Sequence, residues 1–432
     1  MAKSTVEYEQ IISRGCGIDV HKKVLVATIS GTGIKEETRT YSCFTEDIES
    51  FKAWLQDNDI THVAMESTGV YWKPVYNILE GDFEILLVNA RHIKNTPGHK
   101  TDKKDSKWIA KLLISGLLRG SFVPPKPTRE LRDLTRNRKK IVEQITSDKN
   151  RIQKTLEDAN IKLSCVVKDM SGATAVRIIN AMISGVDDID ELVKFRHGRM
   201  KASKEELASA LRGHLTEHHK FMLSFLKESI LSKELLIEQL DERIEEYLKQ
   251  QEVELYVDLL QTIPGVGQES ARGIIAEIGT DMDRFPDEKH LASWAGMSPG
   301  CNESAGKKKS SRTTHGNNYL SSLLTQCGWA ASRTKGTYLR SKYERLVGRR
   351  GKKRAIIALG HKILIAAYFV IRDKTAYKEL GYEHLTQLNR TAKIKRHLKQ
   401  LSEMGIQLRI DNDIAYEDPL LSGKLPNTYR GT

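Results

Sequence analysis

Four carboxylates, and three serines beside a run of cations, are of residue types that could act on phosphorus. Asp19 lies within an apolar run, GCGIDV, where an unpaired carboxylate is costly. Glu66 closes the run HVAMES beside a glycine-containing turn. Asp102 and Asp105 are three residues apart at a helix start, so both project from one face. Strand ends and a helix start within one α/β unit can converge on a point. Four carboxylates meeting there would repel unless neutralised, and hard oxygen ligands select Mg²⁺ or Mn²⁺. Two such ions can stabilise the attacking and leaving oxygens of a phosphoryl transfer. Plainer readings exist: Asp102 as a charge favoured by the helix dipole, Glu66 as a cap of the turn that follows. Asp19 is the hardest to explain that way.

Ser304 is followed by Lys307, Lys308, Lys309 and Arg312, cations able to hold a scissile phosphate and stabilise its developing charge. Its hydroxyl would still need a base or a metal to activate it. By residue type alone Ser310 and Ser311 are equally placed, and a loop serine without function accounts for all three. Upstream, TIPGVG with Gly265 and Gly267 lies between helical stretches, as in a helix-hairpin-helix turn whose backbone N–H groups hold a DNA phosphate. An ordinary interhelix turn accounts for it as well.

The charge is concentrated. Of 69 Lys and Arg and 56 acids, the stretch from Lys307 to Arg354 holds 14 and one, so it carries the whole net charge of +13. Its last cluster is Arg349, Arg350, Lys352, Lys353 and Arg354. Such one-sided clustering points to a polyanion partner, with nucleic acid held through phosphate contacts that weaken with salt.

These residues need a scaffold. Residues 15 to 120 read as α/β: GCGIDV and KVLVATIS meet at His21-Lys22, TRTYSCF is a third strand, and TEDIESFKAWLQDN is a helix with Thr45 as its N-cap. HVAMES, a helix from Tyr71 to Leu79, EILLVNA and a helix from Asp102 follow, and Pro124, Pro125 and Pro127 end the unit. Residues 129 to about 250 are mostly helical, with a break around Met170 to Asp190. Leu223, Leu226, Ile230, Ile237, Leu240, Ile244 and Tyr247 keep a heptad register broken only at Lys233. That register suits a helical hairpin and a dimerising coiled coil equally. The basic segment opens as a polar loop before turning helical, and residues 411 to 432 read as a flexible tail.

At 432 residues the chain is long enough for two or three domains. The boundaries fall at 1–125, 126–250, 251–375 and 376–432. Five scattered cysteines without a CxxC pair argue against a zinc ribbon or disulfide framework and fit a reducing cytosol. The first residues lack the apolar core of a signal peptide. Ala355 to Ile371, the longest apolar stretch, is interrupted by His361 and Lys362 and is shorter than the ~20 residues of a membrane span. The expectation is a soluble intracellular protein without a membrane partner.

GIDVHK, MESTGVYWKPV and KTDKKDSKWIA, in that order, resemble the RuvC-like ribonuclease-H fold of the DEDD insertion-sequence transposases. The resemblance implies that Asp19, Glu66, Asp102 and Asp105 bind divalent metal. The stretch from LLQTIPGVG to GKKKSSR resembles the C-terminal domain of the same transposases, a subgroup of bridge-RNA-guided DNA recombinases. Its NES(A/G)G motif is matched by Asn302 to Gly306, which implies Ser304 as nucleophile. The resemblance further implies double-stranded DNA at element ends and target, a non-coding guide RNA, and a dimer or tetramer whose active site is shared between subunits. It also implies work on the nucleoid of a bacterial or archaeal cytoplasm. Two other readings stay open. One is a junction-resolving endonuclease that uses the four acids and water; the other is a non-catalytic nucleic-acid-binding protein.

Overall fold

The computed structural model describes residues 11–67, 69–89, 102–118, 120–300, 302–304, 307–310, 313 and 315–404. The chain forms two compact units, residues 1–125 and 126–432.

In the first unit β1 (Arg14–Val20), β2 (Val24–Gly31), β3 (Glu37–Ser42), β4 (His62–Glu66) and β5 (Glu84–Val88) form one sheet in the order β3-β2-β1-β4-β5. β1, β2 and β3 pair antiparallel, whereas β4 and β5 join β1 as parallel neighbours. Side chains alternate between the faces of a sheet. Cys16, Ile18 and Val20 on β1, with Val63 and Met65 on β4, face α1 (Thr45–Asp57) and α2 (Trp72–Leu79), whose Ile48, Phe51, Leu55, Val75 and Leu79 complete that core. Ala64 and Val88 face the other way, against Ile109 and Leu113 of α3 (Asp102–Ile114). Thr45 is not the cap of α1: it is the first helical residue, and the cap position belongs to Phe44, which has no side-chain cap hydrogen bond.

The second unit is built on an antiparallel pair of long helices, α4 (Lys126–Asp158) and α9 (Glu217–Gln250). The Tyr247 hydroxyl lies 2.8 Å from Glu130, Arg138 pairs with Asp241, and His219 reaches Asp158 at 3.0 Å. Of the two assemblies that the heptads fit, the structure contains the intrachain hairpin. Lys233 breaks the register because it answers Asp148, a nearly buried carboxylate of α4, at 2.7 Å. Short helices α5 (Leu163–Val166), α6 (Ala173–Ile183), α7 (Ile189–Lys194) and α8 (Lys204–Leu211) close the far end over their own core. The expected break at 170–190 is thus largely a helix, bounded by Gly172 and Gly185.

Then come α10 (Glu254–Gln261), α11 (Gln268–Ile278), a 3₁₀ turn (Met282–Arg284), α12 (Glu288–Trp294), β6 (Asn302–Ser304), β7 (Lys307–Ser310), α13 (Asn318–Ala331), α14 (Tyr338–Arg350), α15 (Lys352–Asp373) and α16 (His384–Glu403). The start of the basic segment, expected as a polar loop, is the two-stranded antiparallel ribbon β6-β7. The apolar run at 355–371 extends into the full length of α15, which by length and composition could cross a membrane. In this fold its Leu359, Ile363, Leu364 and Ala367 are core. The tail at 411–432 lies outside the described residues.

Candidate active site

β1, β4 and β5 run parallel, so their C-terminal ends share one edge of the sheet. The register Ile18↔Met65 makes Asp19 and Glu66 the next residues on neighbouring strands. By alternation both share the face of Gly17 and Ala64, the face that α3 covers. Gly17 explains how closely it is covered. A Cβ at Gly17 would sit 2.2 Å from the Ala110 nitrogen and 2.4 Å from the Ser106 carbonyl oxygen, so the backbones of β1 and α3 touch. A Cβ at Gly15 would meet Leu113. Two strand residues advance about 6.6 Å and four helix residues about 6 Å, so the two backbones keep step. Position 15 opposes 113, position 17 opposes 106 and 110, and position 19 therefore faces the first turn of α3. Asp102 and Asp105 are in that turn. A hydroxyl pair fixes the rotation of α3: Thr28 Oγ1 lies 2.8 Å from the buried Ser106 Oγ.

The Asp19 side chain is 14% exposed and meets His21 Nε2 at 3.2 Å. Glu66 and Asp105 are half-buried. The Asp102 side chain lies outside the described part, and among the described residues no three His, Cys, Asp or Glu side chains form a ready metal cluster. Carboxylates from two strand ends and one helix start are nonetheless donors of the kind a hard cation takes. Cys16 is no rival nucleophile, because complete burial pushes its thiol pKa far up.

In the second unit Ser304 ends β6 and pairs with Lys307, the first residue of β7. Ala305 and Gly306 separate them in sequence. The side chains of Ser304, Lys307, Lys308 and Lys309 are outside the described part, and Arg312 lies outside the described residues.

The base of this ribbon is anchored. Pro299 bridges Thr313, and a Cβ on Gly316 would sit 2.2 Å from the Gly296 nitrogen. Asn317 caps α13 by accepting from the Tyr319 and Leu320 amides, and its Nδ2 donates to Glu277 at 2.6 Å. Glu277, 3% exposed, takes both prongs of Arg136 at 2.7 and 2.8 Å and a contact from Arg132. His361 Nδ1 lies 3.2 Å from the Met297 carbonyl. Burial lowers the His361 pKa and outweighs the pull of that carbonyl, which favours the neutral ring. Beside these anchors Thr313, His315, Asn318, Ser321 and Ser322 line a cavity of about 440 Å³.

The two glycines of TIPGVG differ. Gly265 has φ +87° and is pressed on α13, where a Cβ would meet the Cys327 carbonyl at 2.5 Å. Gly267 is exposed at the cap of α11, its carbonyl accepting the Ala271 amide at 2.9 Å, with open space where a Cβ would go, so of the two it is the more accessible to a ligand. Arg349 and Arg350 end α14, and Lys352, Lys353 and Arg354 begin α15 after Gly351; all five are exposed.

The residues missed in the sequence are His21, the Thr28–Ser106 pair, the Glu277 network and the polar cavity. His21 was detectable from its i+2 spacing to Asp19. The ribbon could have been found from Ala-Gly between two short polar runs, a two-residue hairpin spacing.

Residues 16–161 match a family model described as transposase, of the DEDD type of IS110, and residues 257–344 match the transposase IS116/IS110/IS902 family. Both matched segments are thus similar to IS110-family transposase domains, and the first of them takes in α4, one arm of the helical hairpin. It is 31% identical over 169 residues to the pilin gene-inverting proteins of Moraxella lacunata and Moraxella bovis, covering 38% of this chain and 52% of theirs. It spans about half the length of these curated relatives. A putative transposase, y4qE, of Sinorhizobium fredii is 22% identical over 326 residues, 72% of this chain and 70% of that protein.

Proposed function

We propose that this chain, with both IS110-type transposase domains, is a recombinase of an insertion sequence that cuts and rejoins double-stranded DNA. The observation that carries the reading is the placement of Asp19 and Glu66 on one face of adjacent parallel strand ends, opposite the helix turn that bears Asp102 and Asp105. The names of the relatives, pilin gene-inverting protein and putative transposase, support rejoining as well as cleavage. We read the first unit as RuvC-like, with a ribonuclease-H-type sheet.

Asp19, Glu66, Asp102 and Asp105 would hold Mg²⁺ or Mn²⁺. When bound, the metal would supply positive charge against the oxygens of the scissile phosphate. Ser304 Oγ would attack phosphorus, forming an Oγ–P bond as the P–O bond to the departing strand breaks. The hydroxyl proton passes to a base, and the departing oxygen gains one. A phosphoserine link keeps the bond energy, and attack by a new strand hydroxyl reverses the step and rejoins DNA. The bridge between Pro299 and Thr313 at the base of the ribbon supports this role, since it would give Ser304 a held strand from which to act. Lys307, Lys308, Lys309 and Arg312 would hold phosphate there. Gly267 and the cluster from Arg349 to Arg354 would hold DNA backbone. A bridge RNA would read most of the target by base pairing, and the working form would be a dimer or tetramer on the nucleoid.

The test is incubation with Mg²⁺, a candidate RNA from the gene's flank, and labelled DNA spanning an element end, followed by a denaturing gel. A protein–DNA adduct lost in both Ser304→Ala and Asp19→Ala is expected. Cleavage without adduct, retained in Ser304→Ala, would replace this reading with a metal-dependent nuclease that uses water.

A further inference from the structure

Phe44 contradicts two local rules at once. It occupies the cap of α1, where Ser, Thr, Asp or Asn is preferred by about 1 kcal/mol, while Thr45 waits one residue away. It is also 79% exposed, although α1 and β3 pack a core directly beneath. The residue is nonetheless held firmly. Its amide donates to Ser42 Oγ at 3.2 Å, and its carbonyl accepts the Ile48 amide at 3.0 Å. Ser42 in turn donates to Asp47. On this held backbone, a side chain so exposed has little burial to contribute to stability.

Its position gives it a use. β3 pairs antiparallel with β2, and β2 antiparallel with β1, so β3 runs parallel to β1 and Phe44 follows its end at the same edge as Asp19 and Glu66. Two interstrand spacings, about 10 Å, separate the β3 and β1 ends. The β1–β2 turn between them carries Lys22 and Lys23, both exposed. It is tied to the Phe44 side: the Cys43 amide donates to the Lys23 carbonyl at 3.2 Å, and Cys43 Sγ to the His21 carbonyl at 3.3 Å. Along one edge lie carboxylates, then cations, then an exposed aromatic ring. Single-stranded nucleic acid is held by such a combination of cations on its backbone and stacking on its bases.

We propose that Phe44 stacks on an unpaired base of the DNA strand whose phosphate lies at Asp19 and Glu66, one or two nucleotides away, with Lys22 and Lys23 on the intervening phosphates. This rests on the DNA-cutting reading for the identity of the strand. The probe is single-stranded DNA of an element end carrying 2-aminopurine at successive positions, mixed with the full-length protein. Fluorescence should be quenched at one or two neighbouring positions, and Phe44→Ala should abolish that quenching and weaken binding roughly 10-fold, the loss of one base–aromatic stack. Phe44→Trp should restore both, and melting of Phe44→Ala should be unchanged.

Equal quenching in wild type and Phe44→Ala would overturn the proposal, even where Asp19→Ala abolishes cleavage in the same preparation. Stronger quenching with RNA of the same sequence would also overturn it, by assigning the ring to RNA. Loss of quenching in Phe44→Ala together with cleavage that survives Asp19→Ala would keep the stack and remove the carboxylate mechanism instead.

Discussion

Gly17→Ala is the smallest change that should move the carboxylates apart. The new Cβ would sit 2.2 Å from the Ala110 nitrogen and 2.4 Å from the Ser106 oxygen, both backbone atoms that no rotamer change can withdraw. Ordinary contact begins near 3.4 Å, so α3 must retreat from β1 by about 1 Å. Overpacking of this kind costs about 1–3 kcal/mol, a fall of roughly 5–10 °C in the melting of the first unit. The turn bearing Asp102 and Asp105 moves with the helix. A 1 Å misplacement at a reacting centre lowers rate by roughly 100-fold. Calorimetry and a metal-dependent cleavage assay read the two effects separately. Gly15→Ala is the control: its nearest clash, at 2.9 Å, is with Leu113 Cδ2, a side-chain end that can swing aside, so its cleavage should stay within a few-fold of wild type. Wild-type melting and cleavage in Gly17→Ala would refute the seating of α3 on β1, and with it the derivation that sets Asp19 opposite the α3 turn.

Lys233→Met should cost about 1–3 kcal/mol, because the nearly buried Asp148 then keeps only Arg151, at 3.4 Å, as a cation. In the wild type the Lys233 hydrogen bond holds the Asp148 pKa below the ordinary carboxylate value, so its contribution is present above about pH 4 and is lost only as pH falls through that depressed value. In the variant Ser229 and Arg151 still lower this pKa but by less, so urea midpoints should fall less on acidification below about pH 4 than those of the wild type. Gly265→Ala should destabilise the second unit by several kcal/mol through strain at φ +87° and contact with α13, whereas Gly267→Ala should leave melting nearly unchanged and weaken DNA binding in gel shifts. Replacing Arg349, Arg350, Lys352, Lys353 and Arg354 with Gln should lower the slope of log affinity against log salt by up to about 4.5, near 0.9 for each phosphate that is no longer neutralised. An unchanged slope would move the DNA to another surface.

The sequence is most readable where one periodicity has one meaning. The strands and helices of the first unit alternate as their apolar spacing indicates, and the heptads from Leu223 to Tyr247 lie within the single helix α9. The single irregularity, Lys233, is intelligible only with its mate. Asp148 lies 85 residues earlier, and no local pattern joins the two. For the same reason the heptads do not distinguish a hairpin from a dimer, since either partner satisfies the same stripe. The ribbon β6-β7 reads as a loop because Asn, Glu and Lys are poor strand formers; its pairing comes from anchors at Thr313 and Gly316. The types of Asp19 and Glu66 are plain in the sequence. Their common face is not, because it depends on the register Ile18↔Met65, and a slip of one residue would send the carboxylates to opposite faces.

Where this chain breaks a local rule, the remedy is sometimes internal and sometimes missing, and the difference sorts structure from function. The buried acid at Asp148 has Lys233 and Ser229. The buried acid at Glu277 has two arginines and an asparagine. Phe44 has no burial to justify it, and Lys352, Lys353 and Arg354 occupy the first turn of α15, where no acid offsets them and the helix dipole disfavours cations by about 0.3–1 kcal/mol each. Rules broken without an internal remedy are expected at surfaces that meet a partner. On the proposed function that partner is nucleic acid in both cases, a base at Phe44 and phosphates at α15. The stability forgone is then recovered only in the complex, so Lys352→Glu should raise the melting temperature of the free protein while weakening its hold on DNA. A surface that is basic by chance would show the first effect without the second.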